Sequence, residues 1–373
     1  MIHIASLKRY SILALFLLLG GCGQPDPIQI AFVGGVSGRV ADLGIAGRNG
    51  VILAVEQRNQ SGGIHGAPIK LVLKDDKQDP DTARRVVAEL VDQKVTAIIG
   101  HMTSSMSTET VPIVNKQRML MLSPTTTADS LTGKDDYFFR IVGPTKSYAG
   151  TNAAYQYNKL GLHTIAAAYD IGNRAYAESW YDNFWQTFTK LGGKVVRTIP
   201  FKSGPDVHFD NLAKTLVESN ADSVLIVASA LDAALLIQQI RKLDAKIHIS
   251  TSEWAATERF IELGGASVEH TLISQLFDRD NTSTMYSTFR DAYRQRFNQE
   301  PGFPSVAGYD AANVVMDALE RNPDTSLIKQ TILDIGSFIG AQGPIVIDRY
   351  GDASRKTYLT VVSQGKYKVI QGQ

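Results

Sequence analysis

The chain has 373 residues, too many for one ordinary α/β core and enough for two lobes. Its 38 basic against 37 acidic residues give no electrostatic footprint for nucleic acid or a polyanionic partner. An apolar fraction of 44% and regular punctuation by glycine predict a compact, folded protein.

Lys8 and Arg9 form a basic start, and Ile12 to Leu19 an apolar run too short to span a bilayer comfortably. Leu19-Gly20-Gly21-Cys22 follows, and this pattern resembles the bacterial lipobox. The resemblance implies a signal peptide over 1–21 and a lipid on Cys22, anchoring the chain to a membrane without embedding it. Cys22 is the sole cysteine, so the mature chain is expected to carry no disulfide. Loss of Lys8 and Arg9 leaves 36 basic against 37 acidic residues. Residues 22–27 then read as a short tether stiffened by Pro25 and Pro27.

Ile28 to Val33 predicts a first strand, ending at Gly34-Gly35. A helix is expected from near Ala46 to Ser61-Gly62-Gly63, where glycine suits a left-handed cap. Ile69 to Leu73 is a second strand. Asp79-Pro80-Asp81 opens a helix whose Ala83, Val86, Val87, Leu90 and Val91 share one face. Val95 to Ile99 and Met119 to Leu122 are further strands, with a helix from Met106 to Gln117 between them. Short links in a βαβαβαβ order imply a parallel sheet covered on both faces. From Tyr148 the alternation repeats: strands at Thr164 to Tyr169, Val195 to Pro200, Ser223 to Val227 and Ile247 to Thr251 are separated by helices. Leu272 to Leu276 starts another strand. Helices then dominate to Asp334, and β-like segments close the chain.

In parallel sheets, ligands sit beyond the carboxyl ends of the strands. Gly100-His101-Met102-Thr103-Ser104-Ser105 lies between a strand and a helix, and leaves free backbone N–H groups at a helix start. Ser104 or Ser105 can cap that start. Thr125-Thr126-Thr127 ends the next βα unit, so the two loops can converge. Read alone, such residues are more often ordinary caps than an anion site. Enzyme signatures are weak. Gly35-Val36-Ser37-Gly38 is not a nucleophile elbow, the histidines have no paired metal spacing, and no Walker motif occurs. Trp180, Tyr181, Phe184 and Trp185 read as a packing cluster on one helix.

Four pieces in order carry a resemblance. They are Ser61-Gly62-Gly63-Ile64-His65-Gly66, Asp75-Asp76 with Asp79-Pro80, Gly100-His101 through Ser104-Ser105, and Ser123-Pro124-Thr125-Thr126-Thr127. Together they resemble the type I periplasmic-binding proteins, in the leucine/isoleucine/valine-binding branch that serves ABC importers. The resemblance implies two doubly wound α/β lobes joined by a three-crossover hinge. Lobe one would be 28–143 plus 277–348, and lobe two 144–276 plus 349–373. It also implies a monomeric, extracytoplasmic binder of a free amino acid, with permease and ATPase subunits as partners and no cofactor, metal or nucleic acid.

Residue by residue, Ser104 resembles the family's carboxylate-binding serine. Thr127 resembles the threonine that serves both carboxylate and ammonium. Thr125 matches a position that offers its carbonyl to the ammonium. Glu253, just after a strand, matches the acid that pairs with the ammonium, and Tyr176 matches a tyrosine that closes over the ligand. Leu43, Met102, Ser229 and Trp254 match positions near the side-chain pocket. The apolar ones among them favour a hydrophobic or branched side chain. Two alternatives stay open: a sensing subunit for a receptor or regulator, and a binder of an amide- or urea-type molecule.

Overall fold

The computed structural model describes residues 25–372. Residues 1–21 and the expected lipidation site Cys22 lie outside the described residues.

Strand β1 (Ile28–Gly34) pairs in parallel with β2 (Ile69–Asp75) and β3 (Ala97–Ile99). β4 (Leu120–Ser123) and β5 (Phe138–Arg140) complete an all-parallel sheet in the order β2-β1-β3-β4-β5. Strands β3, β4 and β5 are buried throughout, as a sheet covered on both faces requires. Helices α1 (Ala41–Gln60), α2 (Pro80–Asp92) and α3 (Ser104–Gln117) fill the connections. This sheet and its helices are lobe one.

The chain then crosses and builds α4 (Thr145–Asn158), β6 (Thr164–Asp170), α5 (Arg174–Lys190), β7 (Lys194–Phe201), α6 (Phe209–Val217) and β8 (Ser223–Val227). α7 (Ala230–Leu243), β9 (His248–Thr251), α8 (Glu258–Gly264) and β10 (Leu272–Gln275) follow. Next, α9 (Thr284–Phe297), α10 (Phe303–Arg321) and α11 (Ile328–Ile335) lead to a small antiparallel sheet of β11 (Ser337–Gly340), β12 (Gly343–Ile347) and β13 (Ala353–Ser354). Finally β14 (Tyr358–Ser363) and β15 (Lys366–Gly372) join the second sheet, antiparallel, in the order β15-β14-β10-β9-β8-β6-β7. The second sheet and its helices are lobe two.

Two expectations are corrected. Helix α1 starts at Ala41, not near Ala46. Gly44, Gly47 and Gly50 argue against a helix by propensity. Here they serve close packing: a Cβ on Gly44 would lie 2.0 Å from the Gly35 carbonyl oxygen, and one on Gly50 2.0 Å from that of Ser305. α1 thereby packs along α10, which returns to lobe one. Second, 349–354 belongs with lobe one rather than lobe two. β13 pairs with β12, and the Arg140 N–H donates to the Gly351 carbonyl at 3.0 Å. The fully buried Arg140 guanidinium also donates to Asp352 Oδ1 at 2.7 Å, Ala128 O at 3.2 Å and Thr132 Oγ1 at 2.6 Å. A buried cation so fully bonded fixes this segment to β5.

Candidate functional site

The loops after β3 and β4 meet. Ser123 Oγ donates to His101 O at 2.6 Å, and Thr125 Oγ1 to Met102 O at 2.5 Å. Ser104 Oγ accepts from the N–H groups of Thr127 and Ala128, each at 3.3 Å. Gly100 makes the turn possible: its φ is +149°, and a Cβ there would lie 2.3 Å from Val33 O. Behind the loop, His101 Nδ1 sits 2.7 Å from Asp76 Oδ2, both side chains fully buried.

Lobe two faces this loop across a cleft. Asn173 stands at the N-cap position of α5 but makes no cap bond there. Instead its Oδ1 accepts from the Ser105 N–H of α3 at 3.0 Å, while Ser105 Oγ accepts from the Ala175 N–H of α5 at 3.2 Å. The two helix starts, one per lobe, exchange caps.

Between them lies a cavity lined by Leu43, Met102, Thr103, Ser104, Thr125, Thr127, Asn173, Tyr176, Glu253, Trp254, Leu276 and Phe303. Glu253 begins a short turn just after β9 and is 3% exposed. Trp180 Nε1 donates to its Oε2 at 2.8 Å, but its Oε1 has no hydrogen-bond partner among the described residues. Burial lifts the carboxyl from its ordinary 4.5 to about 7, because no cation offsets the lost hydration. Tyr176 packs edge-to-face on Trp254, with ring centroids 5.6 Å apart. Burial and then the Glu253 carboxylate push the Tyr176 hydroxyl well above its ordinary value, so it stays a donor. The Tyr176 hydroxyl and Thr127 Oγ1 also lack partners among the described residues.

Three polar groups without partners among the described residues, one of them acidic and buried, therefore line one cavity whose other walls are both apolar, from Leu43, Met102, Trp254, Leu276 and Phe303, and polar, from Thr103, Ser104, Thr125 and Asn173. Such groups are costly unless a ligand completes them. A model of the periplasmic binding proteins matches residues 27–366. The chain belongs to the periplasmic binding protein family.

Within the family, the chain is 26% identical to a leucine-, isoleucine-, valine-, threonine- and alanine-binding protein of Pseudomonas aeruginosa, covering 88% of this chain and 87% of that one. It is also 26% identical to the Leu/Ile/Val-binding protein of Escherichia coli (strain K12), covering 90% and 92%. Among solved structures, a leucine-binding protein from Thermotoga maritima superposes with a TM-score of 0.85 at 26% identity, over 92% of this chain and 98% of that chain. A branched-chain amino acid transporter substrate-binding protein from Streptococcus pneumoniae, in complex with isoleucine, matches with a TM-score of 0.85 at 25% identity, over 93% and 99%. An R. palustris solute-binding protein in complex with benzoate shares the fold, with a TM-score of 0.85 at 20% identity over 93% and 96%.

The structure brings Ser104, Thr125, Thr127, Tyr176, Glu253, Leu43, Met102 and Trp254 to one cavity of this family member. Ser229 is a correction. It is buried but does not line the cavity, because its hydroxyl caps α7 by accepting from the Asp232 N–H at 3.3 Å. The pattern Ser229-Ala230-Leu231-Asp232 before an apolar run already carried that capping signal. Thr103, Asn173, Leu276 and Phe303 also line the cavity and were missed. Trp180 read as packing alone, yet it also holds Glu253.

Proposed function

We propose that this chain is an extracytoplasmic substrate-binding protein that closes its lobes on a free amino acid with an aliphatic side chain and delivers it to an ABC importer. The observation that carries this reading is Glu253: a buried carboxyl group with one oxygen unpartnered among the described residues, sharing with Ser104 of a helix start a cavity that has polar walls and an apolar side. A zwitterion complements that arrangement. Its carboxylate meets Ser104 and the α3 N-terminus, where the aligned N–H groups favour an anion. Its ammonium meets Glu253, Thr127 Oγ1 and the Thr125 carbonyl, and Tyr176 closes over it. Leu43, Met102, Trp254, Leu276 and Phe303 are left for the side chain, which favours Leu, Ile or Val by burial. The P. aeruginosa and E. coli relatives, named for binding such amino acids, support the same choice. Export, removal of 1–21 and lipidation at Cys22 belong to this reading and rest on the pattern at 19–22, and a monomeric state rests on the family resemblance.

The test is a thermal-shift screen of all common amino acids and related amides, on protein first unfolded and refolded to remove bound ligand. A true ligand at about a hundred times its Kd should add roughly 2.7 kcal/mol of stability. Aliphatic amino acids should raise the Tm. A screen in which none of them shifts it would sink the amino-acid reading, and a shift by amides alone would replace it.

A further inference from the structure

Outside the cavity, one basic side chain reaches from lobe one into lobe two. Arg39 lies in the loop between β1 and α1, and is not among the cavity-lining residues. Its Nη2 bonds Asp232 Oδ1, and its Nε donates to Ser203 Oγ at 3.0 Å. Asp232 sits in the first turn of α7 and Ser203 follows β7, so both partners belong to lobe two. The Ser203 N–H in turn donates to Asp170 Oδ1 at 2.8 Å. Asp232 is fully buried and Asp170 nearly so, and each keeps one oxygen without a partner among the described residues. Two buried carboxylates thus face one guanidinium.

Surface ion pairs contribute little, because water solvates both partners and salt screens them. This pair differs. Arg39 is about one-third exposed, but Asp232 is not exposed at all. A buried carboxylate left without a cation is strongly unfavourable. Burial raises the Asp170 carboxyl, the neighbouring Asp232 raises it further, and Arg39 opposes both. The guanidinium fork reaches a carboxylate and a hydroxyl together, which an ammonium point charge does less well.

We infer that Arg39 is a positioning residue for ligand capture: a tethered cation that enters an acidic socket of Asp232, Ser203 and Asp170 on lobe two when the cleft closes, and so slows ligand release without touching the ligand. The inference rests on the amino-acid-binding reading only for its choice of probe. On opening, the socket's acids gain water and Arg39 leaves, so the pair contributes to the closed state alone. The device therefore acts on the release rate and is sensitive to salt.

The experiment measures L-isoleucine association and release by stopped flow for wild type, Arg39→Ala, Arg39→Lys and Asp232→Asn, at low and high salt. Release from Arg39→Ala and Asp232→Asn should be about tenfold faster or more, with association little changed. Salt should speed wild-type release and leave Arg39→Ala release flat. Arg39→Lys should fall between. Ligand-free Arg39→Ala should keep the wild-type far-UV circular dichroism and unfold cooperatively, which separates a latch from a general folding role. Release rates equal to wild type in both Arg39→Ala and Asp232→Asn would overturn the inference. If wild type binds no amino acid, the amino-acid reading fails, and small-angle scattering of the ligand-free proteins decides the latch. A larger radius of gyration for Arg39→Ala than for wild type at low salt would support it, and identical radii would overturn it.

Discussion

Glu253 owes its behaviour to where its two oxygens point. One is held by the Trp180 indole, while the other has no hydrogen-bond partner among the described residues, and burial outweighs the Trp180 and Tyr176 side chains to shift the carboxyl from 4.5 to about 7. The sign follows from linkage. Between those values the folded chain holds a proton that the unfolded chain has released, so stability on this residue's account falls as pH rises through the window, by about 3 kcal/mol in full. It is not lost in acid. Melting curves from about pH 5 to about pH 8 should show ligand-free wild type losing more stability than Glu253→Gln over that range. Parallel profiles would contradict the buried, unpaired assignment. Binding runs the other way, because an ammonium pairs with the ionised form. Affinity for a bound zwitterion should rise roughly tenfold per pH unit below about 7 and level off above it. Glu253→Ala should weaken that affinity by about 3 kcal/mol or more, since it leaves a buried ammonium unpaired. Calorimetry reads both effects.

At the scale of elements, the exchanged caps tie closure to two helix starts. Asn173→Ala removes the acceptor for the Ser105 N–H and should cost about 1 kcal/mol of ligand affinity, roughly fivefold, by calorimetry. An unchanged Kd would mean that water replaces the cap at no cost. The α1–α10 contact makes a separate prediction. Gly50→Ala would set a methyl against the Ser305 carbonyl and should destabilise the fold by about 2 kcal/mol in denaturant unfolding.

These elements also show what the sequence made legible. α2 begins where Asp79-Pro80 said it would, with the Asp79 side chain accepting from the Thr82 N–H at 2.8 Å. Local chemistry decides such a start. α1 begins five residues early because its glycines answer to close packing, Gly44 against the Gly35 carbonyl and Gly50 against Ser305 of α10, and helix propensity alone does not see that. The loops at 100–105 and 123–127 were legible as converging, since consecutive parallel strands carry them to one edge. Phe303 and Leu276 were not, because only the returning chain places them at the cavity. Asn173 was not singled out, because its partner Ser105 lies on the other lobe, and Ser229 was placed near the pocket only by its match to a family position.

For the whole molecule, the chain passes between its sheets after β5, after β10 and after β13, with Arg140 and Asp352 bonding the last of these segments to lobe one. The exchanged caps and the Arg39 pair both bridge the two lobes, and under the proposed function the ligand does so as well. Only interactions that differ between open and closed states can shift their balance. Under the proposed function, the ammonium of the ligand supplies the largest such difference, because Glu253 meets no cation among the described residues. Calorimetric titration of the refolded protein with leucine, and with the analogue of leucine that lacks the amino group, tests this most directly. Leucine should bind tightly and the analogue at least a hundredfold more weakly, in line with the cost of about 3 kcal/mol or more for an unpaired buried charge. Equal affinity for the two would contradict it.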